Sequence, residues 1–169
     1  MPDRDSHILV AIDFSPLADA VVAYTGALAG PLRAQVTLLH VVEDPAGTHD
    51  WIADLYLREV TAIRERAIEE AERGLERHCA HLAQLGVLTR RQVVIGRPTR
   101  AILAAAASLG ADLVVVGTHG RTGLPHALLG SVAEQVIRAA PCPVLTVRTD
   151  ARVSVRVEVS VLGSPLLAD

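Results

Sequence analysis

The chain has 169 residues, half of them hydrophobic but only 2% aromatic, and a formal charge of −3. That length fits one domain, the core must be aliphatic, and the mild acidity argues against a nucleic-acid partner, which calls for a basic face. All 16 basic residues other than histidine are arginine, so a lysine-dependent phosphate loop and Schiff-base chemistry are both excluded.

Residues 8–12, Ile-Leu-Val-Ala-Ile, read as a first strand that ends at Asp13. Ser15 and Pro16 then have the chemistry of an N-cap and a first helical residue, with Asp19 near the positive end of the dipole. That helix is expected to stop near Ala29, before Gly30 and Pro31. Residues 36–42 form a second strand, and 43–50, with Pro45 and Gly47, a loop. From 52 to 85 apolar residues recur at intervals of three and four (Val60, Ile63, Ala67, Ala71, Leu75, Cys79, Leu82, Leu85), which is one stripe of a long helix. Its charges form a solvated face on which Glu69 and Arg73 are an i,i+4 pair. His78 and His81 belong to that face, since a two-histidine metal site needs further ligands.

A third strand is expected at 92–95, and Gly96, Arg97 and Pro98 lead into a helix over 99–109 that Gly110 ends. Residues 113–116, Leu-Val-Val-Val, carry no polar side chain and read as a buried parallel strand. A glycine-punctuated turn follows, Gly117-Thr118-His119-Gly120, with Gly130 and Ser131 ten residues later at the start of a helix over 132–139. Pro141 and Pro143 break that helix, and 144–147 is a fifth strand. Strands alternating with helices in this way indicate an α/β domain with a mostly parallel sheet.

The last stretch differs in kind. Val153, Val155, Val157, Val159 and Val161 alternate with polar residues, so 153–161 is a strand with one dry and one wet face. It fits either a sixth strand on the chain's own sheet or a contact with a second subunit. Cys79 and Cys142 lack metal-ligand spacing and suit a reducing compartment. The first residues have no apolar signal core, and the longest uncharged stretch, 20–32, is too short to span a bilayer. A cytoplasmic protein without a membrane partner is expected.

Strand, glycine turn and helix start together suggest a phosphate site. Glycines admit close approach and φ > 0, and amides at a helix start face an anion with the positive end of the dipole. Arg121 is the only cation inside the motif and is a candidate phosphate partner. His119 has no neighbouring acid in the sequence to orient it as a base. Ser131-Val132-Ala133-Glu134 fits a capping box, so Ser131 is expected to cap its helix with its hydroxyl while its own amide meets phosphate. Substituting valine at Gly120 or Gly130 is expected to abolish binding and leave the fold intact.

The stretches 8–13, 38–42 and 111–113, and above all 117–120, 128–132 and 141–145, resemble the universal stress protein family over about residues 7–148. The pattern G-x2-G-x9-G-S is met by Gly117, Gly120, Gly130 and Ser131, and in that family it marks an ATP-binding subgroup. The resemblance implies a single Rossmann-like domain, of the adenine-nucleotide α-hydrolase-like type, with a parallel five-stranded sheet of order 3-2-1-4-5. The domain would span 1–150, and 151–169 would be an extension adding a strand. ATP, or ADP or AMP, would bind at the switch point between strands one and four, with Mg or Mn carried by the phosphates and no protein metal site. Asp13 would line the adenine and ribose end, the Val41 backbone would read the adenine edge, and Ser15, Gly117, His119, Gly120, Arg121, Gly130, Ser131 and Val132 would surround the phosphates. A homodimer is implied through the fifth strand, between Val144 and Val147, with the strand at 153–161 as a further contact. The implied role is a nucleotide-dependent regulator that binds another protein. A slow ATP hydrolase or phosphoryl or nucleotidyl transferase, and a nucleotide-free interaction module, are the competing readings.

Overall fold

A computed structural model describes residues 5–43, 57–118, 130–150 and 154–160. In chain order the elements are β1 (His7–Ala11), α1 (Ala18–Leu32), β2 (Gln35–Val42), α2 (Leu57–Gln84), β3 (Thr89–Ile95), α3 (Pro98–Leu109), β4 (Leu113–Gly117), α4 (Ser131–Ala139), β5 (Val144–Asp150) and β6 (Ser154–Ser160). The strands form one sheet of order β3-β2-β1-β4-β5-β6. All neighbours are parallel except β5 and β6, which run antiparallel. The expected order 3-2-1-4-5 is therefore present, with the sixth strand added beside β5.

Strand polarity explains that order. β1 and β4 lie at the centre and are covered on both faces, which is why their sequences are nearly continuous aliphatic runs. Side chains alternate between two cores. Ile8, Val10 and Val115 pack under α1 and α2 with Val21, Leu75 and Leu82. Leu9, Val114 and Val116 pack under α3 and α4 with Ile102, Ala106 and Val136. Among the described residues β3 pairs only with β2, and it is largely exposed at Arg90, Arg91 and Gln92. It starts three residues earlier than its apolar part suggests, because an edge strand needs only one dry side. Arg91 there bonds Glu76 of α2.

Three helix boundaries differ from expectation. α1 continues through Pro31 to Leu32, and Arg33, at φ 48°, ends it by turning its amide and that of Ala34 onto the carbonyls of Gly30 and Ala29. Near its end a helix can lose one donor to proline without breaking. At its start, Ser15 is not the cap: α1 begins at Ala18 after Leu17, and Ser15 is the carbonyl acceptor for the Ala18 amide. α4 begins at Ser131 with Gly130 as its N-cap and no side-chain cap, so the capping box does not form. Glu134 donates its amide to the Gly130 carbonyl and turns its carboxylate to Arg138 instead.

On α2 the stripe is present, with Ala71, Leu75 and Leu82 in the core, while Ile63 and Leu85 at its two ends are 58% and 54% exposed. The Glu69–Arg73 pair forms at 3.8 Å on the solvent side. β5 outruns the expected 144–147 for a clear reason. β4 accompanies it only to Val147, and the remaining residues to Asp150 are held by β6, with Asp150 opposite Ser154.

Candidate functional site

A cavity of about 730 Å³ opens at the carboxyl ends of β1 and β4. Its walls come from the end of β1 and the turn after it (Ala11 to Phe14), the end of β2 (Leu39 to Glu43), the end of β4 (Val116 to Thr118) and the start of α4 (Gly130 to Ala133). Ala67, Glu70 and Ala71 of α2 close one side, and Pro98 and Ile102 of α3 the other. This is the crevice where the chain leaves the two central strands for opposite faces of the sheet, the place at which open parallel sheets take ligands.

Local backbone chemistry shapes each wall. After β1, Asp13 accepts the Ser15 amide at 3.0 Å, and Phe14 takes a left-handed conformation at φ 56°. For a bulky residue that conformation costs about 1–2 kcal/mol, and the ring's packing offsets it. Phe14 sits 4.4 Å from the His40 ring and stacks within 11° of His78 at 6.2 Å. It also packs against α2 at Gly74, where a Cβ would come within 2.5 Å of the ring. His40 is buried on β2, and its Nδ1 donates to the Ile12 carbonyl at 2.6 Å. Phe14, His40 and Gly74 thus fix the turn that presents Asp13.

The end of β2 supplies a backbone edge. Ile12 donates its amide to Leu39, the last β2 residue in register with β1, whereas Val42 accepts from Gly96 on the β3 side. Backbone groups alternate along a strand, so Val41, two residues after Leu39, turns its amide and carbonyl toward the side that β1 has left. That side is the cavity.

Across the mouth, Thr118 donates to the Val147 carbonyl and accepts the Gly130 amide at 2.6 Å. This single bond ties together the two ends of the segment 119–129. Gly130 has φ −68° and ψ 147°, and neither it nor Gly117 is among the residues with positive φ. The expected left-handed turn is therefore not why these positions are glycine. Both are close approaches instead. A Cβ on Gly130 would lie 2.9 Å from the Thr118 carbonyl oxygen, and one on Gly117 would lie 2.9 Å from Leu17 Cδ2. The Gly130 amide, spent on Thr118, is not one of the donors facing the cavity. Instead the first residues of α4, Ser131, Val132 and Ala133, line the space, and among the described residues no side chain caps the helix.

Of the residues anticipated from sequence, Asp13, Val41, Gly117, Gly130, Ser131 and Val132 all border this one cavity. Ser15 lies just beyond its wall; its hydroxyl is buried and has no hydrogen-bond partner among the described residues. His119, Gly120 and Arg121 lie outside the described residues. Phe14, His40, Thr118 and the α2 residues were not anticipated. The one signal for His40 was a histidine inside a largely aliphatic strand. Asp13, Glu43 and Glu70 make the described wall acidic.

His78, at the back of the Phe14 ring, is half-buried. Burial pulls its pKa below the ordinary histidine value, and Asp19, 3.8 Å away, opposes this. Among the described residues no group of acidic, histidine and cysteine side chains is arranged to hold a metal ion, and no helix is long and apolar enough to cross a membrane.

Comparison with known proteins places this architecture. The model of the universal stress protein family matches residues 6–148. Universal stress protein MJ0577 of Methanocaldococcus jannaschii is 30% identical over 151 residues, covering 83% of this chain and 93% of the relative. Universal stress protein YxiE of Bacillus subtilis is 33% identical over 146 residues, covering 85% and 99%. The solved structure of MJ0577 superposes with a TM-score of 0.73 at 28% identity, over 86% of this chain and 97% of that one. Two more distant structures, each 23% identical, share the fold: a universal stress protein in complex with cAMP (TM-score 0.60, 86% and 98% covered) and one from Archaeoglobus fulgidus in complex with dAMP (TM-score 0.62, 83% and 96% covered).

Proposed function

Because the chain belongs to the universal stress protein family, we propose that its cavity binds an adenine nucleotide, ATP in the first place, and that occupancy regulates contact with another protein. The observation that carries this reading is the uncapped start of α4 opening into the cavity. Helix amides without acceptors are a ready anion site, favoured further by the dipole. At the other end, the Val41 amide and carbonyl form the donor–acceptor pair that the edge of an adenine ring complements. Asp13, which lines the same cavity, would take the ribose. Gly120, His119 and Arg121 would complete the phosphate side. The cAMP and dAMP complexes of the two distant relatives support the ligand class.

The described wall carries three carboxylates and no lysine or arginine. A triphosphate there would need its charge reduced, and Mg or Mn bound to the phosphates would supply that countercharge. The chain's own contribution is backbone amides, each worth about 1.5–3 kcal/mol when it bonds a charged oxygen.

Titration calorimetry with ATP and Mg tests the reading, comparing Ser131→Ala with Ser131→Pro. Alanine removes only the hydroxyl and should keep most of the affinity. Proline suits the first helical position, and the extended Gly130 before it already has a conformation compatible with proline, but the substitution deletes the Ser131 amide. It should weaken ATP roughly 10- to 100-fold, as expected for one charge-assisted bond. Equal affinities for the two variants would remove the helix start from the site, and no binding by the unsubstituted protein would end the proposal.

A further inference from the structure

β3 ends the sheet on the side of β2. Two hydrogen bonds set which way its backbone faces. Leu88 accepts the Val36 amide of β2, and Gly96 donates to the Val42 carbonyl of β2. Backbone groups alternate along a strand, so Arg90, Gln92 and Val94 also face β2, while Thr89, Arg91, Val93 and Ile95 turn their amides and carbonyls outward. Among the described residues no strand meets that outer edge. β3 is seven residues long, contains no proline, and pairs with β2 without a bulge.

The surroundings of this edge are basic. From Arg77 to Ala111 the sequence holds five arginines and no aspartate or glutamate, in a chain of net charge −3. Arg90 on β3, and Arg97 and Arg100 at the start of α3, are exposed. None of these three pairs with an acidic group among the described residues, whereas Arg91 is matched by Glu76.

We propose that the outer edge of β3 accepts an extended, acidic segment of a partner protein as an added strand. Pairing with the backbone of Thr89, Arg91, Val93 and Ile95 supplies affinity, and the arginines supply selectivity, the division of labour usual in strand addition. Charge rules out a second copy of β3 as the occupant. Each copy would bring two arginines and no acid to the shared edge, and like charges across paired strands are unfavourable. Charge on an edge strand also deters indiscriminate pairing. Leu88 and Ile95, at the two ends of this edge, are nevertheless 67% and 43% exposed, so a strand of the right charge has apolar surface to cover at both ends.

The test uses the full chain without nucleotide, which separates its outcome from that of the nucleotide site. The probe is a capped synthetic peptide of the length of β3 that alternates glutamate with valine; its counterpart alternates lysine with valine. Amide hydrogen exchange, read by NMR at millimolar peptide, should show a period of two. Protection should rise at Thr89, Arg91, Val93 and Ile95 and stay unchanged at Arg90, Gln92 and Val94, which face β2. The lysine peptide should protect none of them. Arg90→Glu should weaken the glutamate peptide about 10-fold and strengthen the lysine peptide, a gain that a misfolded chain would not show. Absence of the alternating protection, equal binding of the two peptides, or an Arg90→Glu variant with unchanged preference would each overturn the proposal. So would single-stranded RNA that shifts the arginine signals while the glutamate peptide protects nothing, because the face would then read phosphates and not a strand.

Discussion

Gly130→Ala probes the contact that ties the mouth together. The backbone at Gly130 suits alanine (φ −68°, ψ 147°), so in an open site the substitution would stabilise by about 0.4–1 kcal/mol through the unfolded state. Here the new Cβ would lie 2.9 Å from the Thr118 carbonyl oxygen, a backbone atom held in place by the Thr118–Val147 bond. Relief requires the two segments to separate by several tenths of an ångström. Overpacking of this kind costs about 1–3 kcal/mol, and loosening the 2.6 Å bond from Gly130 to Thr118 adds about 0.5–1.5 kcal/mol. With the gain subtracted, the net loss is about 2 kcal/mol. Gly30→Ala is the matched control: it lies in α1 with nothing within 4 Å of its Cβ position and should gain about 0.5–1 kcal/mol. Urea unfolding of both variants, read at constant m-value, measures the pair. If Gly130→Ala were as stable as the unsubstituted protein, the close approach would not be the reason for glycine there. The same geometry revises the expectation for Gly130→Val, which should strike the fold together with the ligand site.

Gly74→Ala should push the Phe14 ring off α2, where the gap to a Cβ is 2.5 Å; a stability loss of about 1–3 kcal/mol and weaker nucleotide binding through the displaced Asp13 turn are expected in unfolding and calorimetry. His78 binds its proton less readily folded than unfolded. Stability should therefore be constant above its ordinary pKa and fall as pH drops from there through the lowered value, because the unfolded chain takes up the proton first. His78→Asn should flatten that part of the pH profile in thermal unfolding. Cys79 and Cys142 both have pKa values raised chiefly by burial, so iodoacetamide should label them slowly at neutral pH compared with a free thiol, as read by mass spectrometry.

Much of what depends on near neighbours in the chain was legible in the sequence, although the local cap signals at Ser15 and Ser131 and the stop at Gly30 and Pro31 misled. Aliphatic runs at β1 and β4, the stripe on α2 and the glycine end of α3 are local patterns, because burial and helix periodicity act on adjacent residues. The motif from Gly117 to Ser131 and the family it resembles brought Asp13, Val41 and the start of α4 toward one site before any coordinates. Tertiary structure decided what distant segments do to one another. Gly130 is glycine because a Cβ there would lie 2.9 Å from the Thr118 carbonyl oxygen, Gly74 because a Cβ there would meet the Phe14 ring, and β5 runs to Asp150 because β6 pairs beside it. None of these can be written as a rule about consecutive residues. Each arises from two chain segments competing for the same space or the same hydrogen bond, and only folding brings them together.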